Sequence, residues 1–65
     1  MNTKLIAFRQ NCNLTQFEMS KKLHISKSYY EKLERGDRQP SYRVIKTFNA
    51  VFNDKTVDVR EIFLT

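Results

Sequence analysis

The sequence is poor in the residues that build reactive or covalently braced sites. Its 65 residues include one cysteine, one histidine, one glycine and one proline. A lone Cys12 cannot close an internal disulfide, and nothing around it has metal-ligand spacing, so it reads as a small packing residue. One glycine cannot make a Gly-rich loop to cradle phosphates. One histidine, with no paired carboxylates facing a recognisable partner, gives no acid–base constellation. This inventory argues against an enzyme and implies no cofactor, no metal and no evident small-molecule ligand. No uncharged run approaches the roughly 20 residues that a membrane span needs, and Lys4 and Arg9 interrupt the stretch where the apolar core of a signal peptide would lie. A reducing, cytoplasmic setting without a membrane partner is the expectation.

What is present describes a folded, basic domain. Hydrophobic residues make up 40% and charged residues 29% of the chain, which is ordinary for a globular protein and far from the profile of disorder. A length of 65 residues leaves room for one domain, 1–65, with an economical core. Twelve Lys and Arg against seven Asp and Glu give a net charge of +5. Residues 1–43 hold nine of those bases and four of the acids, whereas 44–65 hold three of each. A polyanionic partner, if there is one, therefore meets the first two thirds of the chain. Charge alone fits a solubilising surface equally well.

Helix boundaries are clearly marked. Thr15 and Glu18 form a capping box with Leu14 and Met19 as its hydrophobic staple, so a helix is predicted over about 16–23. Ser26 offers the next N-cap, with Ile25 and Tyr30 as staple, for a helix over about 27–35 that Gly36 stops. Pro40 precedes a further cap, Ser41, and Val44, Ile45, Phe48, Val51 and Phe52 recur at helical spacing over about eleven residues. Asp58 and Glu61 repeat the capping box, predicting a last short helix around Ile62, Phe63 and Leu64. Leu5, Phe8 and Cys12 suit one face of a first helix from about Thr3. No run alternates long enough to argue a strand. An all-α bundle of five helices follows, in which two short helices joined by a turn of about three residues have helix-turn-helix geometry.

The residues on that frame make the pattern specific. Leu14-Thr15-Gln16, Leu23, Ile25-Ser26, Glu34, Gly36 and Arg38-x-Pro40-Ser41, with Leu5 and Arg9 upstream, closely resemble the phage-repressor, or xenobiotic-response-element, type of helix-turn-helix. The resemblance covers about residues 4–63. It implies a lambda-repressor-like DNA-binding domain of four or five helices, from a bacterium or phage, that binds operator DNA as a twofold dimer. Carried over by residue, Gln16 matches a position that contacts phosphate and buttresses the reading helix, and Lys27, Ser28 and Lys32, with Tyr29 beside them, match base-reading positions. Arg35, Arg38, Ser41 and Arg43 fall where backbone contacts are made, and Arg9 and Glu34 match a structural salt bridge.

Helical geometry agrees independently: at 100° per residue Tyr30, Leu33 and Glu34 share one face, and Ser28, Lys32 and Arg35 the opposite one. Lysine suits guanine O6 and N7, serine bonds to either kind of base, and a tyrosine ring edge can meet a thymine methyl. Lys27 and Lys32 taken alone would read as a solvated helix face. The sequence departs from the family pattern at His24, a turn position usually held by glycine, which requires an imidazole to accept positive φ. It departs again at Asn49, which stands in place of a small apolar residue, and at Asn53–Thr56, which lengthens the loop before the last helix. The expected function is a transcriptional repressor binding a palindromic operator as a homodimer, with Val59, Phe63 and Leu64 of the charge-neutral C-terminal third as exposed interface contacts. An antitoxin that also binds a protein toxin, or a controller protein that also activates, are the rival readings.

Overall fold

The structure, a computed structural model, describes residues 1–53 and 62–63. Four helices lie among them: α1 (Thr3–Asn11), α2 (Gln16–Lys22), α3 (Lys27–Arg35) and α4 (Tyr42–Val51). The described residues include no strand. Among the described residues the architecture is all-helical, with four helices where five were expected of the whole chain. Ile62 and Phe63 are helical, but the capping box that announced a fifth helix, Asp58 with Glu61, lies outside the described residues.

Each helix starts on a side-chain cap that satisfies a backbone N–H the helix itself cannot. Asn2, Thr15, Ser26 and Ser41 accept from Leu5, Glu18, Tyr29 and Val44 respectively. At α2 the box is complete, since Thr15 N–H also donates to Glu18 Oε1 at 2.8 Å.

The first three helices end in one common way. Asn13, His24 and Gly36 have φ of 59°, 59° and 83°. Each N–H bonds back three residues, and the following N–H (Leu14, Ile25, Asp37) bonds back five, to Arg9, Ser20 and Lys32. This is the Schellman motif, which needs a left-handed residue to turn the chain away from the helix axis. His24 therefore adopts the positive φ that its turn position demands. Leu14 and Ile25, next in the chain, pack against the core, so each turn is also an apolar anchor.

The core sits where all four helices converge. Leu5, Met19, Leu23, Tyr30 and Leu33 bring in α1, α2 and α3, and Val44 and Phe48 bring in α4. Phe8, Phe48, Phe52 and Phe63 close it as an aromatic cluster with ring centroids 4.9–5.5 Å apart. Phe63 corrects an expectation: it is 7% exposed and meets Phe48 edge-on, because a phenyl ring beside three others gains more from burial and edge-to-face contact than from facing water. It is not an exposed contact. Val59 and Leu64, grouped with it, lie outside the described residues. Cys12 is partly buried against the core, and Asn49 is exposed on α4 and so needs no buried partner.

Candidate nucleic-acid interface

The geometry of the site begins at Glu34, the one carboxylate buried among the described residues. Arg9 Nε on α1 donates to its Oε2 at 2.7 Å, Gln16 Nε2 on α2 donates to Oε1 at 3.0 Å, and the Tyr30 hydroxyl on α3 donates to Oε2. Arg9 Nη1 also donates to Leu14 O at 2.9 Å, which adds the α1–α2 turn. Burial on its own would raise the Glu34 carboxyl, but the hydrogen bonds from Arg9, Tyr30 and Gln16 outweigh it and hold the group below the usual carboxylate range. Burial, then the bond to Glu34, raises the Tyr30 phenol far above its ordinary value, so it stays a neutral donor. One carboxylate thus fixes the orientation of three helices.

With its inner face committed to Tyr30, Leu33 and Glu34, α3 turns Lys27, Ser28, Lys32 and Arg35 outward, all exposed. Lys27 Nζ lies 3.6 Å from Glu31, and Arg35 Nε lies 3.1 Å from Asp37. Both are exposed pairs that stabilise little and exchange readily for another anion. Lys32, Arg38 and Arg43 form no ion pair among the described residues. The outward face of α3 and the loop behind it therefore form a cationic surface on a rigid support.

Other sequence-predicted residues land differently. Gln16 is half-buried and its amide nitrogen is already on Glu34; an NH₂ group has two hydrogens, so one remains for a second acceptor. Ser41 is the N-cap of α4, its hydroxyl accepting from Val44 N–H at 3.3 Å. Tyr29 is half-buried and its hydroxyl is bonded to the loop between α3 and α4, not directed outward.

Asn2 is a structural residue that sequence reasoning missed. Its Oδ1 caps α1, its Nδ2 donates to Ile62 O at 2.7 Å, and its backbone N–H donates to Glu34 O at 2.7 Å. An Asn ahead of a helix is a legible capping signal; its bonds across 60 and 32 residues of sequence are not. Two aromatic side chains, Phe17 and Tyr42, are largely exposed, and Lys21 Nζ sits 5.1 Å from the Phe17 ring centroid. No helix of the described residues is long and apolar enough to cross a membrane, and no group of three or more His, Cys, Asp and Glu there could hold a metal ion.

Comparison with known proteins agrees with this geometry. Residues 5–59 match the family model described as helix-turn-helix. A protein of Archaeoglobus fulgidus named as an uncharacterized HTH-type transcriptional regulator is 32% identical over 59 residues, covering 91% of this chain and 83% of that protein. No solved structure matches the chain.

Proposed function

The chain belongs to the helix-turn-helix family, and from that premise we propose that it regulates transcription by binding double-stranded DNA in a sequence-specific way, with α3 in the major groove. The observation that carries this reading is the division of α3 into two faces. Glu34 locks one to α1 and α2, and the other offers Lys27, Ser28 and Lys32 to solvent.

In this reading Lys32, with Lys27 released from Glu31, donates to guanine O6 and N7, and Ser28 bonds to either kind of base. Arg35, Arg38 and Arg43 meet the phosphate backbone and set register without reading sequence. The second amide hydrogen of Gln16 is available to a phosphate oxygen, which would tie backbone contact to the same carboxylate that orients α3. Ser41 contributes as the cap that starts α4 beside that backbone.

One nine-residue helix makes a small footprint, and specific affinity in such proteins usually comes from two half-sites about 34 Å apart, one helical turn. The protein is accordingly proposed to act as a homodimer on a palindromic operator, as a repressor that occludes it, joined through its charge-neutral C-terminal third. The test is selection of bound duplexes from a random library. A recurring twofold-symmetric motif supports the proposal; recovery of unselected sequence, with binding that ignores sequence, removes it.

A further inference from the structure

Tyr29 lies next to the outward face of α3, yet its hydroxyl is bonded within the protein. It donates to Gln39 O and accepts from Ser41 N–H, both at 3.2 Å, reaching ten and twelve residues down the chain. The loop it grips leaves α3 after Gly36. Its first part is held by Asp37 N–H and Arg38 N–H, both donating to Lys32 O. Beyond Arg38, the hydrogen bonds that join the loop to α3 among the described residues are the two made by Tyr29. This loop carries Arg38 and leads directly into Ser41 and Arg43 at the start of α4. The phenol thus spans the two halves of the cationic surface: the helix that offers Lys32 and the loop that offers Arg38.

We propose that Tyr29 is a positioning residue for DNA binding: its hydroxyl fixes the register of the α3–α4 loop against α3, so that Arg38 meets the phosphate backbone when Lys32 meets base edges. This rests on the duplex-binding reading of α3. The physical reason is preorganisation. A loop free to move must be ordered during association, and that ordering is subtracted from affinity for any duplex, whatever its sequence. The hydroxyl donates to one backbone group and accepts from another, so the loop is held at two points, on either side of Pro40. The tyrosine then affects holding, not reading.

The variants Tyr29→Phe, Arg38→Ala and the two combined separate these roles. Phe keeps the ring, including any contact with a thymine methyl, and deletes only the tether. Affinities are measured by fluorescence anisotropy for two probes, a duplex enriched by the wild-type protein from a random library and a random-sequence duplex, alongside urea unfolding of each variant. Tyr29→Phe is expected to weaken binding to both probes by one factor, roughly three- to tenfold, as for loss of a net hydrogen bond or two. Its urea midpoint falls only modestly, as loss of the same bonds requires, and the variant stays folded in the binding buffer. In the Arg38→Ala background the same change costs less than half that factor, because the loop then has less to deliver. Amide exchange at Ser41, measured without DNA, accelerates about two- to tenfold.

Four results would overturn the tether while leaving duplex binding intact. They are an unchanged affinity for both probes, a loss confined to the enriched duplex, an equal factor with and without Arg38, and unaltered Ser41 exchange. A loss of stability that leaves enough unfolded protein in the binding buffer to account for the weaker binding would make Tyr29 structural only and overturn the proposal as well. Wild-type protein that binds neither probe refutes the duplex-binding reading itself, and the tether's role in it.

Discussion

Removing either end of the Arg9–Glu34 pair should reveal how much of the fold hangs on one carboxylate. The side chains are 14% and 5% exposed and the contact is 2.7 Å, so each substitution leaves a mostly desolvated charge behind. In Arg9→Leu, Glu34 keeps its donors Gln16 and Tyr30 but loses its counter-charge. Breaking a buried pair costs about 3–5 kcal/mol, and the two surviving donors place this variant near the lower end. In Glu34→Leu, Arg9 still reaches Leu14 O and Gln16 can turn to water, whereas the fully buried Tyr30 hydroxyl is orphaned. An unsatisfied buried hydroxyl costs about 1–3 kcal/mol, and the stranded guanidinium brings the total to about 3–4. The double variant strands no charge and should fall short of the sum by about 2 kcal/mol.

At the usual ~0.05–0.15 kcal/mol per residue, a 65-residue domain holds only about 3–10 kcal/mol in reserve. The unfolding series should therefore be run in urea with a fixed concentration of stabilising osmolyte in every sample, followed by helical circular dichroism. Repeating it at lower pH adds a check, because the Arg9→Leu deficit should shrink once Glu34 is protonated and no longer needs a cation. Single variants that each lose under about 1 kcal/mol, with losses that add, would refute the reasoning.

Stability against pH should have two limbs. The hydrogen bonds from Arg9, Tyr30 and Gln16 overcome burial and lower Glu34, so its contribution is present above the ordinary carboxylate value of about 4.3 and is lost as pH falls through the lower folded value. Burial and the bond to Glu34 raise Tyr30, so its contribution is complete below about pH 10 and is lost as pH rises from there; the urea midpoint against pH reports both, and a flat profile below pH 4 contradicts the first. His24→Gly should stabilise the fold by about 0.5–1 kcal/mol, because glycine accepts a φ of 59° without a Cβ penalty. A loss in urea unfolding would instead give the imidazole a packing or polar role. Sedimentation equilibrium should find a dimer at tens of micromolar; a monomer there, with a footprint of one half-site, excludes the twofold assembly.

The elements whose boundaries rest on local chemistry were the legible ones. Thr15 with Glu18, Ser26 and Ser41 announce helix starts because a capping side chain meets its own backbone three residues on, a relation contained within the sequence. Gly36 announces an end by an equally local relation, since without a Cβ it takes the left-handed φ of 83° freely. Asn13 was passed over although asparagine is the next residue after glycine to favour the left-handed region. Tyr30, Leu33 and Glu34 were separable from Ser28 and Lys32 by helical angle alone, and the pairing of Glu34 with Arg9 came with the family resemblance. Contacts set by tertiary packing were not readable. Nothing local distinguishes Phe63 as core from Phe63 as surface, since its burial depends on Phe48, fifteen residues earlier. The loop tether of Tyr29 and the reach of Asn2 to Ile62 likewise depend on where the chain returns, which periodicity does not encode.

Whether the exposed face of α3 reads DNA is decided most directly by alanine variants of Lys27, Ser28, Lys32, Arg35 and Arg38, titrated against an enriched and a random duplex at several salt concentrations. Lys27→Ala, Ser28→Ala and Lys32→Ala should each cost about 1–3 kcal/mol on the enriched duplex, relax preference at one position of the site, and cost less on random sequence. Arg35→Ala and Arg38→Ala should weaken both duplexes alike and reduce the slope of log K against log salt by about one each. Equal losses on both duplexes for Lys27→Ala, Ser28→Ala and Lys32→Ala would contradict the assignment, making that face a phosphate clamp and leaving sequence to be read elsewhere.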